Sequence, residues 1–457
     1  MPLKFTVSGL RGVWGDGIDI EVITSYTKSF INYLSNFSNL PKKIVIGRDT
    51  RKTSPLISDL VSSIFRAYGY EVLDLGVCTT PLTLFAVRKL DAVGGIVITA
   101  SHNPPEWNAL KFVDKGGKFI NENTVNFIQN TVNSQKPSVS EWSQVGKKKD
   151  YTNILDLFIE EINKAIDVDV IRKKKFRVGF DPVNGAAAKL GIKFLEYLGC
   201  EVVAINIDED SFPGRPTEPV GDALMGLSKV VTDNNCDVGF ATDPDGDRLA
   251  IVSEEGNILG EEYTLPLAEM SAIEYLYSEK FSKNIVINMS TSSLSDYIAG
   301  KYGFKVIRSK VGEANVVSEI SKNNAFIGGE GNGGVIFPLL NTARDSFVGI
   351  SLVLLLIAKN CKKLSEIVSE LPNLKMLKKK VEGVLDKESI QKLIDHVSST
   401  FGSYEKNEID GAWFGFESGW IHIRESNTEP ITRIIFEGTN KFVDFVSREL
   451  EKSNLVV

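Results

Sequence analysis

Val93-Gly94-Gly95-Ile96-Val97-Ile98-Thr99 is an apolar run that breaks off into Ala100-Ser101-His102-Asn103-Pro104. The run reads as a buried strand, and the small and polar residues with prolines at 104 and 105 read as a tight loop presenting Ser101. Working back from it, Lys43–Asp49 reads as a strand, Ser54–Tyr68 as a helix and Gly69–Leu75 as a second strand. A further helix then leads into the run itself. The same order returns at Arg177–Asp181, with a helix over Gly185–Leu198, a strand over Gly199–Ile205 and a strand over Cys236–Thr242. It returns again at Asn284–Asn288, with a helix after Ser292-Ser293 and strands over Gly303–Ile307 and Ala325–Gly329. Three copies of strand–helix–strand–helix–strand predict three duplicated α/β domains with parallel-type pairing in mixed or parallel sheets. In open α/β sheets ligands sit at the carboxyl ends of strands. Each copy carries its oddest loop at the end of the same strand: the Ser101 loop, Asp243-Pro-Asp-Gly-Asp-Arg248 and Glu330-Gly-Asn-Gly-Gly334. If the domains face one another, these loops line one central cleft.

Beyond about Pro372 the character changes. A strand over Val381–Leu385, a helix over Lys387–Phe401, three strands (Gly411–Phe416, Gly419–Ile423, Thr432–Phe436) and a helix over Phe442–Lys452 predict a smaller α+β domain. Its unusual loop is Arg424-Glu-Ser-Asn-Thr-Glu-Pro430. The expected division is 1–150, 151–253, 254–370 and 371–457. The polar stretch Ser134–Lys149 and the basic run Arg172–Lys175 read as solvated entry segments.

A net charge of −7 argues against a general nucleic-acid binder. Four scattered cysteines without a CxxC pair read as reduced core thiols of a cytoplasmic protein. Three histidines far apart in sequence (His102, His396, His422) argue against a zinc site or a histidine-based triad. The N-terminus lacks a signal-peptide apolar region. The most apolar segment, Phe347–Ala358, is too short to span a bilayer; with Asp345 or Ser346 as cap it reads as a buried helix.

The loops carry the chemistry. Asp243, Asp245 and Asp247 alternate, so an extended chain projects them on one side. Three converging carboxylates call for a cation, and oxygen ligands suit Mg²⁺ or Ca²⁺. An EF-hand is disfavoured although Glu254 falls at its twelfth position, because Arg248 occupies the sixth, where glycine makes the turn. Arg248 adds a positive group suited to phosphate. Glu330 offers acceptors, and Asn332 offers donor and acceptor, for sugar hydroxyls. Arg424, Ser426, Asn427 and Thr428, with Arg433 nearby, make a phosphate cradle. Beside Ser101, Lys111 is the candidate proton-transfer group, taken as a loop lysine, and His102 is placed to orient rather than abstract. Arg11 is presented by the turn Ser8-Gly-Leu-Arg-Gly12. The sum is a nucleophilic serine near a divalent metal, with a sugar grip and a separate phosphate grip, which points to phosphoryl transfer.

In this order, the four loops resemble those of the α-D-phosphohexomutases, the phosphomannomutase/phosphoglucomutase and phosphoglucosamine mutase family, over essentially the whole chain. The resemblance implies that Ser101 carries a phosphoryl group and, with Asp243, Asp245 and Asp247, holds one Mg²⁺. It implies Lys111, three residues after Asn108, as general acid/base. Arg11, His102 and Arg248 then assist, Glu330 and Asn332 read sugar hydroxyls, and Arg424, Ser426, Asn427, Thr428, Arg433 and Lys310 hold the substrate's phosphate. Two departures are Gly333-Gly334, where many bacterial members have Gly-His, and Pro244, where glycine is common. The implied reaction interconverts hexose 1- and 6-phosphates (mannose or glucose) through a hexose 1,6-bisphosphate that reorients, with a mobile fourth domain gripping either phosphate. Phosphoglucosamine mutase is the alternative within the family. A Mg²⁺-dependent sugar phosphatase and a non-catalytic sugar-phosphate-binding protein are the competitors outside it. The expected partner is a phosphorylated hexose, with no nucleic acid and no membrane, in a monomer or homodimer.

Overall fold

Asp19 starts the first long helix by accepting the Val22 N–H at 2.8 Å. Ile20–Leu34 follows, burying Ile23, Thr27, Phe30, Ile31 and Leu34 along one stripe. That stripe and the helix Ser54–Ala67 cover a mixed sheet and close the first hydrophobic core. The computed structural model describes residues 3–37, 39–134, 138–383, 385, 387–425 and 431–452.

The first sheet runs in the order Lys4–Thr6, Gly9–Trp14, Trp107–Val113, Gly94–Ile98, Lys43–Arg48, Glu71–Val77, Lys148–Asp150. Its three repeat strands are parallel, as expected. The sheet as a whole is mixed, which the expected fold class includes. After the Ser101 loop the chain turns back as Trp107–Val113, antiparallel to Gly94–Ile98. The second copy repeats this: Glu201–Ala204, Arg177–Asp181 and Val238–Thr242 are parallel neighbours, and Leu249–Ser253 returns antiparallel from the aspartate loop. In both copies the functional loop is therefore the bend of a hairpin at the end of a central strand. The third copy shows the same parallel core, Lys305–Ser309, Ser282–Asn288, Ala325–Glu330.

The chain divides into two compact units. The first is Met1–Leu276 with Asn332–Ser365, and the second is Tyr277–Gly331 with Glu366–Val457. In the first, the apolar segment forms the buried helix Ser346–Asn360, capped by Asp345, and packs on Thr264–Leu276. Cys361 caps its other end with positive φ and is exposed, so only Cys78, Cys200 and Cys236 are core thiols.

In the second unit an antiparallel sheet runs Lys375–Glu382, Ile431–Gly438, Gly419–Glu425, Ala412–Phe416, Glu405–Asn407. The helices Lys387–Phe401 and Asn440–Lys452 close its core around Phe414, Ile421, Ile434 and Phe436. The strand expected over Val381–Leu385 begins at Lys375 and ends at Glu382, where Gly383 takes a positive φ. Arg424, expected in a loop, is instead a strand residue. Among the described residues no helix is long and apolar enough to cross a membrane.

Candidate active site

The first unit brings the serine and aspartate loops together. Ser101 has φ +51, a conformation that costs a non-glycine residue about 1–3 kcal/mol. Its N–H is held by the Thr99 hydroxyl at 2.9 Å. Its hydroxyl donates to Asp243 Oδ2 at 3.1 Å.

The aspartate loop is fixed from three sides. Strand Val238–Thr242 delivers it. Thr80, at the N-terminus of helix Thr80–Lys89, donates its hydroxyl to Asp245 Oδ2 at 2.6 Å and its N–H to the Asp245 carbonyl at 2.8 Å. Ser346 donates its hydroxyl to the Gly246 carbonyl at 2.7 Å. Gly246 has φ +69, and a Cβ there would sit 2.7 Å from the Thr79 side chain, so glycine is required.

Lys111 lies on the returning strand rather than in a loop. It is buried and pairs with Asp245 Oδ2 at 2.7 Å. Burial opposes ionisation of Asp245, but Lys111, with hydrogen bonds from Asp243, Lys111 and Thr80, outweighs it and holds that carboxyl below the usual range. Asp243 goes the other way: burial, then the Asp247 and Asp245 charges, push it well above the usual range. Asp247 pairs with Arg344 at 2.6 Å.

The three carboxylates are buried, and one oxygen of each lies within 4.8 Å of the others. Asp245 Oδ1 and Asp247 Oδ1 accept no hydrogen bond although no solvent reaches them. Buried acceptors without donors are costly, and a divalent cation is the partner this oxygen set fits. Glu254 takes no part, since its carboxylate accepts the N–H and hydroxyl of Ser365.

His102 and the arginines surround Ser101. Arg248 donates to His102 Nδ1 at 3.0 Å and to Glu218 at 2.7 Å. An arginine only donates, so Nδ1 carries the lone pair. The Arg248 charge, then burial and Arg11, pull the His102 pKa well below its ordinary value. The imidazole is thus a neutral, oriented group 3.4 Å from the Ser101 hydroxyl. Arg11 donates to Asn103 Oδ1 at 2.7 Å.

The residue that the sequence reading missed is Arg51. Its side chain is fully buried. It donates to Asp49 at 3.0 Å, to the carbonyls of Ser101 and Asn103 at 2.6 Å each, of Pro104 at 2.5 Å and of Trp107 at 3.0 Å. All five donors of the guanidinium are used, four of them on carbonyls in and beside the serine loop and the fifth on Asp49. The signal was available: Gly47-Arg-Asp-Thr-Arg51 ends the first strand of the first copy, and in open α/β sheets ligands sit at the carboxyl ends of strands.

Asn332 also belongs to the first unit, next to Gly333, whose carbonyl accepts the Leu249 N–H at 3.1 Å. Gly333 has φ +82, and a Cβ there would lie 2.1 Å from the Leu249 carbonyl oxygen. Glycine is therefore imposed at Gly333 by backbone packing.

The second unit carries the other candidates. Glu330 is buried at the end of Ala325–Glu330, and its Oε1 accepts from Asn288 Nδ2 at 2.8 Å and the Gly312 N–H at 2.9 Å. Lys310 is exposed in the adjoining loop. Arg424 and Arg433 stand opposite each other on neighbouring strands, and Lys380 stands opposite Arg433 on the next. Paired residues share a sheet face, so three cations form a row, an arrangement that favours an anion. Lys380 was not anticipated. Ser426, Asn427 and Thr428 lie outside the described residues.

His422 is fully buried on the same sheet face. Its Nε2 donates to the Asp410 carbonyl at 2.6 Å, and its Nδ1 accepts from the Ser290 hydroxyl at 2.8 Å. Burial lowers its pKa, so it is neutral in the fold. The unfolded chain takes up a proton as pH falls through about 6.5, where the folded chain does not. The stability contributed by neutral His422 is therefore present above that pH and is lost as pH falls below it. Between about pH 7.5 and 5.5 the unfolding midpoint should drop more steeply in wild type than in His422→Gln. Parallel profiles would contradict this.

The comparisons with known proteins follow the same pattern. Family models described as phosphoglucomutase/phosphomannomutase, alpha/beta/alpha domains I, II and III, match residues 2–138, 156–256 and 269–374. The chain is 33% identical over 440 residues to a phosphoglucomutase/phosphomannomutase of Thermococcus kodakarensis, covering 96% of this chain and 95% of that protein. It is 30% identical over 445 residues to a phosphoglucosamine/phosphogalactosamine mutase of Sulfurisphaera tokodaii, covering 96% of each. Among solved structures it is similar to a phosphoglucomutase/phosphomannomutase family protein from Burkholderia thailandensis. The TM-score is 0.78 at 22% identity, over 99% of this chain and 98% of the other, and shows a shared fold.

Proposed function

The chain belongs to the phosphoglucomutase/phosphomannomutase family of α-D-phosphohexomutases, and on that premise we propose that it isomerises a hexose phosphate by moving a phosphoryl group between the 1- and 6-hydroxyls through Ser101. The enzyme class is that of an isomerase acting as an intramolecular phosphotransferase. The observation that carries the reading is the convergence of the Ser101 hydroxyl, the three aspartates and Lys111 in one buried cluster.

The phosphoryl group on Ser101 passes to the free hydroxyl of a bound hexose phosphate. The P–O bond to Ser101 breaks as the bond to the sugar oxygen forms, and Lys111 takes the hydroxyl proton as its neutral amine, which requires that at this step it no longer serves Asp245 as an ammonium partner. The hexose 1,6-bisphosphate then returns its other phosphoryl group to Ser101, and Lys111 returns the proton to the sugar oxygen released. Ser101 with Asp243, Asp245 and Asp247 would hold one Mg²⁺, which neutralises charge on the transferring group. Arg11, His102 and Arg248 orient the serine phosphate. Glu330 and Asn332 read sugar hydroxyls, and Lys310, Arg424, Arg433 and the 426–428 segment hold the substrate's second phosphate.

The proposed substrates are glucose and mannose phosphates, supported by the relative from Thermococcus kodakarensis. Glucosamine phosphate is the second reading, favoured by the relative from Sulfurisphaera tokodaii. A cytoplasmic location belongs to the same proposal and is supported by four cysteines without a disulfide. The proposed division into domains at 1–150, 151–253, 254–370 and 371–457 gives each one functional loop.

An isomerisation assay on the 1-phosphates of glucose, mannose and glucosamine, with Mg²⁺ and a trace of the matching 1,6-bisphosphate, tests the reading. Conversion to a 6-phosphate is expected. Sustained release of inorganic phosphate without isomer would contradict it and favour a phosphatase. Metal binding has its own readout: Mg²⁺ at about a hundred times its Kd should stabilise the fold by about 2.7 kcal/mol. The thermal shift should vanish in Asp243→Ala/Asp247→Ala, and an undiminished shift would move the metal elsewhere.

A further inference from the structure

Asp410 is the anomaly in the second unit. It places a carboxylate against Arg424, whose proposed partner is a phosphate. Asp410 Oδ2 lies 3.3 Å from Arg424 Nε and also accepts the Val311 N–H at 2.9 Å. The Arg424 side chain is 8% exposed and that of Asp410 18% exposed, so the pair is largely out of water. A negative group there repels a phosphate dianion, and retaining it costs affinity unless it does something else.

Its contacts indicate what. Val311 and Gly312 donate consecutive N–H groups in opposite service: Val311 to Asp410 and Gly312 to Glu330 Oε1. The loop carrying Lys310 is thereby tied just after that residue by two adjacent N–H groups, one to Asp410 beside Arg424 and one to Glu330. The backbone of Asp410 is fixed in turn, since its carbonyl receives His422 Nε2–H and His422 is held by Ser290. From Ser290 the chain of bonds returns to the sugar grip. The Ser290 N–H goes to Asn288 Oδ1 at 2.8 Å, and Asn288 Nδ2 goes to Glu330. The result is a closed ring, Glu330–Gly312–Val311–Asp410–His422–Ser290–Asn288–Glu330, with every link a hydrogen bond or a peptide bond.

We infer that Asp410 is a positioning residue for substrate binding. It occupies the Nε edge of Arg424, which turns the other two guanidinium nitrogens toward the ligand, and it sets the Lys310 loop and Arg424 in one fixed register with Glu330. Arginine is a planar fork, so fixing one edge fixes the direction of the others. This rests on the reading that Arg424 holds the substrate's phosphate.

Electrostatics alone and positioning predict opposite signs for the same substitution. If Asp410 were only a charge, Asp410→Ala would remove a repulsion and lower KM for a hexose phosphate. As a positioning residue, its loss frees Arg424 and the Val311 N–H, and KM rises. The expected result for Asp410→Ala is a KM raised about tenfold, from the loss of a largely buried ion pair and of the acceptor for the Val311 N–H, with kcat changed less than about threefold. Asp410→Asn keeps an acceptor for Val311 and should recover part of the loss. In the double variant with Arg424→Ala, KM should rise by less than the product of the two single effects, because both act through one guanidinium. The assay uses the full chain with Mg²⁺, the bisphosphate and the 1-phosphate that proves to be turned over. A KM for Asp410→Ala that is unchanged or lower, while Arg424→Ala raises it, would overturn the inference and leave the reading of Arg424 intact. An unchanged KM in Arg424→Ala would overturn the reading on which it rests.

Discussion

Ser101→Ala should lose at least about four orders of magnitude in mutase turnover while the protein remains folded. The residue is small, its loop is held mainly by others, and the hydroxyl contributes one hydrogen bond to Asp243, so stability should change by no more than about 1 kcal/mol. The activity cannot survive in the same way. Lys111 and the aspartates can position a phosphoryl group, but without the Ser101 oxygen the proposed transfer loses its carrier. Thermal unfolding and a coupled isomerisation assay on one preparation separate the two effects. Substantial residual isomerisation would mean that the group moves without visiting Ser101. An unfolded variant would mean that the hydroxyl is structural.

The second large effect is at Arg51. Removing its side chain leaves Asp49 as an uncompensated buried charge and strips donors from four carbonyls around the serine loop. Breaking a buried pair from one side typically costs about 3–5 kcal/mol, so Arg51→Met should lose about that much in urea unfolding. The catalytic loss has a separate cause. Ser101 is held at φ +51, and the carbonyls that Arg51 gathers include Ser101's own. A displacement of about 1 Å at a reacting group is worth about a hundredfold in rate, so kcat/KM should fall by that order. Arg51→Lys restores the charge beside Asp49 but cannot span four carbonyls with one ammonium. It should regain part of the stability and little of the activity. Wild-type activity in Arg51→Lys would show that the loop keeps its shape without the fork.

The repeat was legible because a strand that ends in glycine, proline or charge interrupts an apolar run, and three such ends at one position imply one fold used three times. The returning strands were not. Trp107–Val113 carries Asn108 and Lys111 inside an otherwise apolar run, and a buried lysine is indistinguishable in sequence from a solvated one until Asp245 is placed against it. Arg51 was passed over for a similar reason: apart from Asp49 its partners are carbonyls, and carbonyls leave no mark in a sequence. The aspartate triplet does form a cluster, though not through an extended chain: the segment turns at Gly246, φ +69, and Asp243 Oδ1 accepts the Asp247 and Arg248 N–H groups. The limits of the units were beyond reach. Ser346–Asn360 and Thr264–Leu276 are apolar around most of their circumference, so they announce burial but not against what. They pack together in the first unit, whereas the strands of the same repeat belong to the second. Arg424 was placed in a loop because its motif continues beyond the strand, and only the register with Arg433 and Lys380 reveals the row of cations.

In the proposed cycle Ser101 lends and recovers a phosphoryl group. Incubating the protein with a hexose 1,6-bisphosphate and Mg²⁺, then measuring the intact mass and the mass of the peptide spanning residues 93–111, addresses it directly. The account predicts a gain of one phosphoryl group per chain, located on Ser101, absent from Ser101→Ala, and removed again when a hexose monophosphate is added. An unmodified Ser101 in a preparation that is actively isomerising its substrate would contradict it.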